Sequence, residues 1–259
     1  MKFALGVEYD GREFHGFESQ PNGRTVQECL EFALSKVADH PVRTICAGRT
    51  DAGVHALGQI VHFESQSERP LEAWVFGANT HLPADVCVNW SRSVPEDFHA
   101  RFSASARRYR YVILNRSTRP AALRGRVSWE YRPLQVELMQ SAAGYLLGEH
   151  DFSSFRGAGC QSRSAIRRIH RLEVSRRGPF VFIDVSANAF LLHMVRNIAG
   201  VLMDVGAGKA PATWADQVLR AADRRRGGVT APAAGLYLLQ VDYPGRYRLP
   251  AFPPESGLW

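Results

Sequence analysis

The tightest constraint on this chain is an order of apolar segments, strand-helix-strand-strand-helix-strand, that runs twice along its 259 residues. Alternating apolar and polar residues mark a half-buried strand, whereas apolar residues at helical spacing mark a face that packs on a sheet. In the first half, Phe3 to Tyr9 alternates. Thr25 then opens a helix, with Glu28 three residues on in a capping-box pattern and an apolar face of Val26, Cys29, Leu30, Ala33, Leu34 and Val37. Strands are predicted from Val42 to Cys46 and from Gln59 to Phe63, a helix near Leu71 to Asn79, and a strand from Val86 to Ser91.

The second half repeats the order. Its predicted strands run from Ala106 to Leu114, Ile166 to Val174, Val181 to Ala187 and Leu236 to Val241. Its helices run from Val136 to Leu147 and Phe190 to Val205, with an extra one from Thr213 to Ala222. This is the ferredoxin-like split βαβ order. The expectation is an α+β fold of two halves, 1–104 and 105–259, each an antiparallel sheet with helices on one face. No low-complexity linker interrupts them, and the length suits two ordinary domains or one large one.

Between two of the first-half strands lies Ala47-Gly48-Arg49-Thr50-Asp51-Ala52-Gly53-Val54-His55-Ala56. Glycine lets the chain turn sharply or approach a ligand closely. Asp51 is therefore expected on a tight loop of a rigid frame, where reactive groups tend to sit. On spacing alone such an Asp is more often a turn former. Asp51 and His55 are four apart, but the flanking glycines argue against the helix that would align them as metal ligands.

Charge narrows the partner. The net charge is +7, and of 32 basic residues only Lys2, Lys36 and Lys209 are lysine. Arginine binds phosphate through a planar fork and stacks on bases; a coding bias accounts for much of the ratio. The clustering is more telling. Arg107, Arg108 and Arg110 alternate with Tyr109 and Tyr111, a second cluster spans 163–177, and Arg224 to Arg226 form a third. Basic residues interleaved with aromatics suit RNA. The four cysteines lie far apart without a CxxC pair, so free thiols in a reducing, cytoplasmic compartment are expected. Met1 to Val7 reads as a first strand and not a signal peptide, and the apolar runs are too short to span a membrane.

The segment Gly48-Arg49-Thr50-Asp51-Ala52-Gly53-Val54-His55-Ala56 resembles the active-site signature of the tRNA pseudouridine synthase A family. Tyr9-Asp10-Gly11, Thr25-Val26-Gln27, Ala106 to Tyr111, Asp151 to Arg156, Ala187 to Phe190, His193 to Ile198 and Ala231 to Leu236 extend the resemblance over nearly the whole chain. It implies the pseudouridine synthase fold, with an active-site cleft between the halves. It implies isomerisation of uridine at positions 38, 39 and 40 in the anticodon stem-loop of tRNA, by a homodimer without cofactor. The second half is then the expected RNA-binding and dimerising half, having more apolar helix to cover.

By the same resemblance Asp51 is the catalytic residue, Arg196 its cationic partner, Arg49 a contact to the flipped nucleotide, and Tyr109 the ring against the target base. Read from the residues alone, Arg196 is a surface residue on a polar stripe with His193, Asn197 and Gly200, and Tyr109 and Tyr111 are sheet aromatics. Isomerisation breaks N1–C1′ and joins C5 to C1′; a carboxylate can hold the intermediate covalently, attacking either C1′ or C6. It must be ionised, which a nearby cation favours.

The chain departs from the family where Gly16-Phe17-Glu18-Ser19-Gln20 replaces the usual GWQRQ, and where Leu192 replaces a second His before His193. Both put an RNA contact in question rather than the chemistry. Two rivals stay open: a non-catalytic RNA-binding protein on the same sheets, and a metal-assisted hydrolase built on Asp51, His55 and His62.

Overall fold

The computed structural model describes residues 1–250, which divide into two compact units. The first comprises Met1–Arg107 with the described residues from Leu238 on, and the second Arg108–Tyr237. In the first lie β1 (Lys2–Tyr9), α1 (Val26–Ala38), β2 (Thr44–Cys46), β3 (His55–Glu64), a π-helical stretch Ala73–Gly77 running into α2 (Ala78–His81), and β4 (Val86–Val94). Next come β5 (Ala106–Asn115), β6 (Ser128–Glu130), α3 (Val136–Gly144), β7 (Gly148–Asp151), β8 (Ile166–Arg177), β9 (Phe180–Ala187), α4 (Met194–Gly206) and α5 (Trp214–Ala221). The last strand is β10 (Leu236–Asp242). The expected halves met at 104/105, and here the second unit stops at Tyr237.

In the first unit β1 pairs antiparallel with both β4 and β3, and β2 pairs antiparallel with β3. The order β4-β1-β3-β2 is that of a ferredoxin-like sheet. From Leu238 on, β10 lies beside β3, close enough that a Cβ on Gly58 would stand 2.2 Å from the Leu239 carbonyl. Register explains the core. Phe3 faces Phe63 across β1 and β3, the rings stack at 5.4 Å, and fully buried Trp74 closes on them at 5.2 and 5.0 Å. Truncating so large a buried ring costs about 3–5 kcal/mol.

The helix start at Thr25 is as expected: its hydroxyl accepts the Glu28 N–H at 3.4 Å. Glu28 takes the Ser19 hydroxyl at 2.8 Å. Strand β2 begins two residues later than predicted because Ser35 of α1 takes the Val42 N–H. Ser35 Oγ accepts from Val42 N at 2.9 Å, and the buried Glu31 carboxylate accepts from Thr44 N at 2.9 Å.

In the second unit β9 lies between β5 and β8, β7 edges β8, and β6 runs parallel to β5. Helices α3, α4 and α5 pack together, with α3 against β8. Helix α4 starts at Met194, not Phe190, because His193 adopts a left-handed φ of +59° that no helix interior accommodates. Strands β6 and β7 were not expected: three and four residues are too short to show alternation. No helix among the described residues is long and apolar enough to cross a membrane.

Candidate active site

Asp51 begins a four-residue turn closed by the Val54 N–H on the Asp51 carbonyl at 3.1 Å. Gly53, third in that turn, has φ +77°, a conformation that side chains with a Cβ rarely adopt. The turn is held at several points. Gly53 N donates to Phe14 O at 3.2 Å and Phe17 N to Thr50 O at 3.0 Å. Thr50 Oγ1 lies 2.8 Å from the Tyr9 hydroxyl, and Gln59 Nε2 donates to Gly48 O at 2.6 Å. Gly16, at φ +102°, lies so close that a Cβ would stand 2.8 Å from Thr50 O. The Asp51 side chain itself is half-buried, neither sealed in the core nor fully in solvent. Tyr9, Gln59 and Gly16 are supports that sequence reasoning missed, although Tyr9 and Gly16 stood in the quoted motifs.

Arg49 precedes this turn on an exposed position and forms an ion pair with Glu18. Glu18 belongs to the segment that departs from the family pattern. Its neighbour Phe17 is fully buried and packs on Tyr9 at 6.2 Å, taking the place of the usual Trp. Arg107, expected among the RNA-facing arginines, is instead 8% exposed. Its guanidinium donates to Ala47 O at 3.0 Å and Arg101 O at 2.6 Å, and so clamps the strand that feeds the Asp51 loop. The alternation that put it in a basic stripe did not reveal that β5 begins inside the packed first unit.

His55 and His62 are both buried. His55 Nδ1 accepts the Gly11 N–H at 3.1 Å, with Asp10 Oδ1 3.2 Å away, and His62 Nδ1 accepts the Ala100 N–H at 3.1 Å. Each is occupied in fixing backbone. Among the described residues no group of three or more His, Cys, Asp or Glu is placed to hold a metal ion. Cys29, Cys46, Cys87 and Cys160 are all free thiols, and burial pushes Cys46 up to about 12.

In the second unit Tyr109 is 8% exposed on β5, with its ring edge-on to Phe190 at 5.0 Å. Tyr111, two residues on, is fully buried and donates its hydroxyl to Pro232 O at 2.8 Å. Burial drives its acidity far below that of a free phenol, so it serves as a fixed donor. Arg196, in the first turn of α4, is half-buried rather than on the surface, and its Nε donates to Ala231 O at 2.8 Å. Ala231 N donates back to Arg196 O at 3.1 Å. The Ala231–Pro232 segment, gripped from α4 and from β5, thereby orients the Arg196 fork.

Of the expected polar stripe, Asn197 and Gly200 are buried, while His193 and Arg196 are partly exposed. Asn197 is buried, donating to Phe155 O at 2.8 Å and accepting from Thr230 Oγ1 at 2.6 Å and Arg224 at 3.0 Å. Gly200 is where α4 touches the chain, since a Cβ there would stand 2.0 Å from Val229 O. Arg110, half-buried, is bidentate with Asp184 at 2.8 and 3.0 Å. Arg176 of the second cluster donates to Asn115 Oδ1 and Leu134 O, both at 2.9 Å, so part of each basic cluster holds the fold.

These placements meet the known proteins at the level of sequence. The sequence model of one family, tRNA pseudouridine synthase, matches residues 6–103 and 142–244. This chain belongs to that family. It is accordingly an isomerase of tRNA processing that forms pseudouridine. Similar proteins named tRNA pseudouridine synthase A come from Coxiella burnetii (strain Dugway 5J108-111), 56% identical over 97% of both chains, and Alcanivorax borkumensis, 54% identical over 100% of this chain and 97% of that one. A third, from Legionella pneumophila (strain Corby), is 55% identical over 96% of this chain and 95% of its own. Among solved structures a Cbf5-Nop10-Gar1 complex is a distant likeness, 12% identical with a TM-score of 0.33, covering 77% of this chain and 54% of that one. Family membership rests on the sequences and takes nothing from that likeness.

Proposed function

We propose that this synthase acts on uridines 38, 39 and 40 of the tRNA anticodon stem-loop with Asp51 as its nucleophile. The observation that carries the reading is the Asp51 turn, which presents a half-buried carboxylate on a backbone pinned by Phe14, Phe17, Val54 and Gln59. A nucleophile held in one place converts a collision into an oriented encounter. The carboxylate bonds to C1′ or C6 of the target, the N1–C1′ bond breaks, uracil turns, C5 joins C1′, the bond to the carboxylate breaks to free the enzyme, and the proton lost from C5 is balanced by one gained at N1. Nothing is oxidised, and no cofactor or metal is required.

Arg49, Tyr109 and Arg196 are the substrate-binding residues in this reading. Arginine suits the phosphates and the ionised carboxylate, and Tyr109 offers a ring to the extruded base. The target must leave its stack, at a cost of a few kcal/mol, which contacts to the tRNA backbone offset. The enzyme works as a homodimer in the cytoplasm, one tRNA touching both copies. Incubating unmodified tRNA with the protein and mapping pseudouridine by chemical sequencing tests this directly. Wild type is expected to modify 38–40, and Asp51→Asn to make no pseudouridine while still binding tRNA. Retained activity in that variant would remove Asp51 from the chemistry.

A further inference from the structure

Outside the residues assigned above, the first unit carries an exposed aromatic on an unusually well-fastened loop. Phe102 is 76% exposed. The loop beneath it is closed by Ser103 N on His99 O at 2.9 Å and by His99 N on Ser103 Oγ at 3.0 Å. His99 Nδ1 accepts the N–H groups of both Arg101 and Phe102 at 3.2 Å, and its ring lies against Phe102 at 4.3 Å. The preceding residue is held twice, by Ala100 N on His62 and by the Tyr243 hydroxyl on Ala100 O at 2.6 Å. Exposed Arg101 places its guanidinium 5.5 Å from the centre of the Phe102 ring. Arg107 ties Arg101 O to Ala47 O, four residues before Asp51.

A large apolar ring left in water on a backbone that cannot fold away has a surface to offer. A flat ring beside a guanidinium matches a nucleobase and its phosphate: the base stacks, and the cation meets the backbone charge. We infer that Phe102 and Arg101 form a base-stacking and phosphate-binding platform for the tRNA substrate, apart from the residues around the reacting uridine. The inference rests on the tRNA reading above. Arg107 is a positioning residue in it, holding the platform and the strand into the Asp51 loop in fixed relation within one unit. The ordered loop is already in its binding shape, so little freedom is lost when a base settles on the ring.

Two experiments test the platform. Irradiating the unaltered protein, saturated with tRNA carrying 5-iodouridine, is expected to crosslink the peptide containing Phe102. Absence of that peptide from the crosslinked products would overturn the inference. Separately, Phe102→Ala is expected to raise both the Kd and the KM for tRNA about tenfold with kcat changed less than twofold, and Phe102→Trp to restore binding. A folded Phe102→Ala variant that binds tRNA as tightly as wild type would also overturn it. So would a change in sedimenting mass without a change in Kd, which would make the patch a contact between copies of this chain. Wild type that binds tRNA yet makes no pseudouridine would sink the proposed function alone, because Kd and crosslink still read the platform.

Discussion

At the level of single residues, the departure at Phe17-Glu18-Ser19 acquires a physical meaning. Phe17 fills the buried place of a larger ring, so the core accepts the change. Glu18, standing where the family motif has Gln, pairs with Arg49, and both side chains are about half exposed. Such a pair is worth less than about 1 kcal/mol, so a tRNA phosphate can displace it at small cost. Glu18→Gln is expected to lower the KM for tRNA by a few-fold and leave kcat unchanged, as measured by steady-state kinetics at fixed salt; an unchanged KM would free Arg49 of this competition. Arg107 teaches the opposite lesson. It looked like part of an RNA-facing stripe and is spent on carbonyls of the first unit. Nothing in its neighbours along the chain could reveal that, since Ala47 lies sixty residues away.

At the level of elements, periodicity and caps carried most of the information. The Thr25 cap and the face of α1 follow from local chemistry, and the existence of β1, β3 and β4 from alternation. Where elements shifted, the cause lay outside the apolar pattern: Ser35 of α1 takes the Val42 N–H, and the left-handed backbone at His193 delays α4. The turn after Asp51 is the element on which activity depends most. Gly53→Ala puts a Cβ at φ +77° and is expected to cost roughly 1–2 kcal/mol. Because the strain falls on the turn itself, turnover should drop more than the urea midpoint indicates. A variant with full turnover would show that the turn tolerates movement.

For the whole molecule, the clearest expectation concerns pH. Burial, with His99 and Lys2 nearby, pushes His62 down to about 4. The unfolded chain titrates this group near 6.5. Below 6.5 the unfolded state takes up a proton that the folded state refuses until about 4, so this contribution is intact above 6.5 and lost as pH falls toward 4. The slope is at most ~1.4 kcal/mol per pH unit. Urea midpoints are expected to fall between pH 7 and pH 5, and to fall less in His62→Asn. Equal slopes in the two proteins would point to other groups.

Sequence alone determined the α+β class, the succession of strands and helices in the first unit, the nine residues around Asp51 and, through them, the family. These depend on contacts a few residues apart or on patterns written continuously along the chain. Tertiary structure alone decided which arginines are structural, that Arg196 is oriented by Ala231, that His55 and His62 fasten backbone, and that Phe102 stands out on a locked loop. Each of those depends on a partner brought close by folding, and a hydrogen bond between distant segments leaves no periodic trace in the residues that make it.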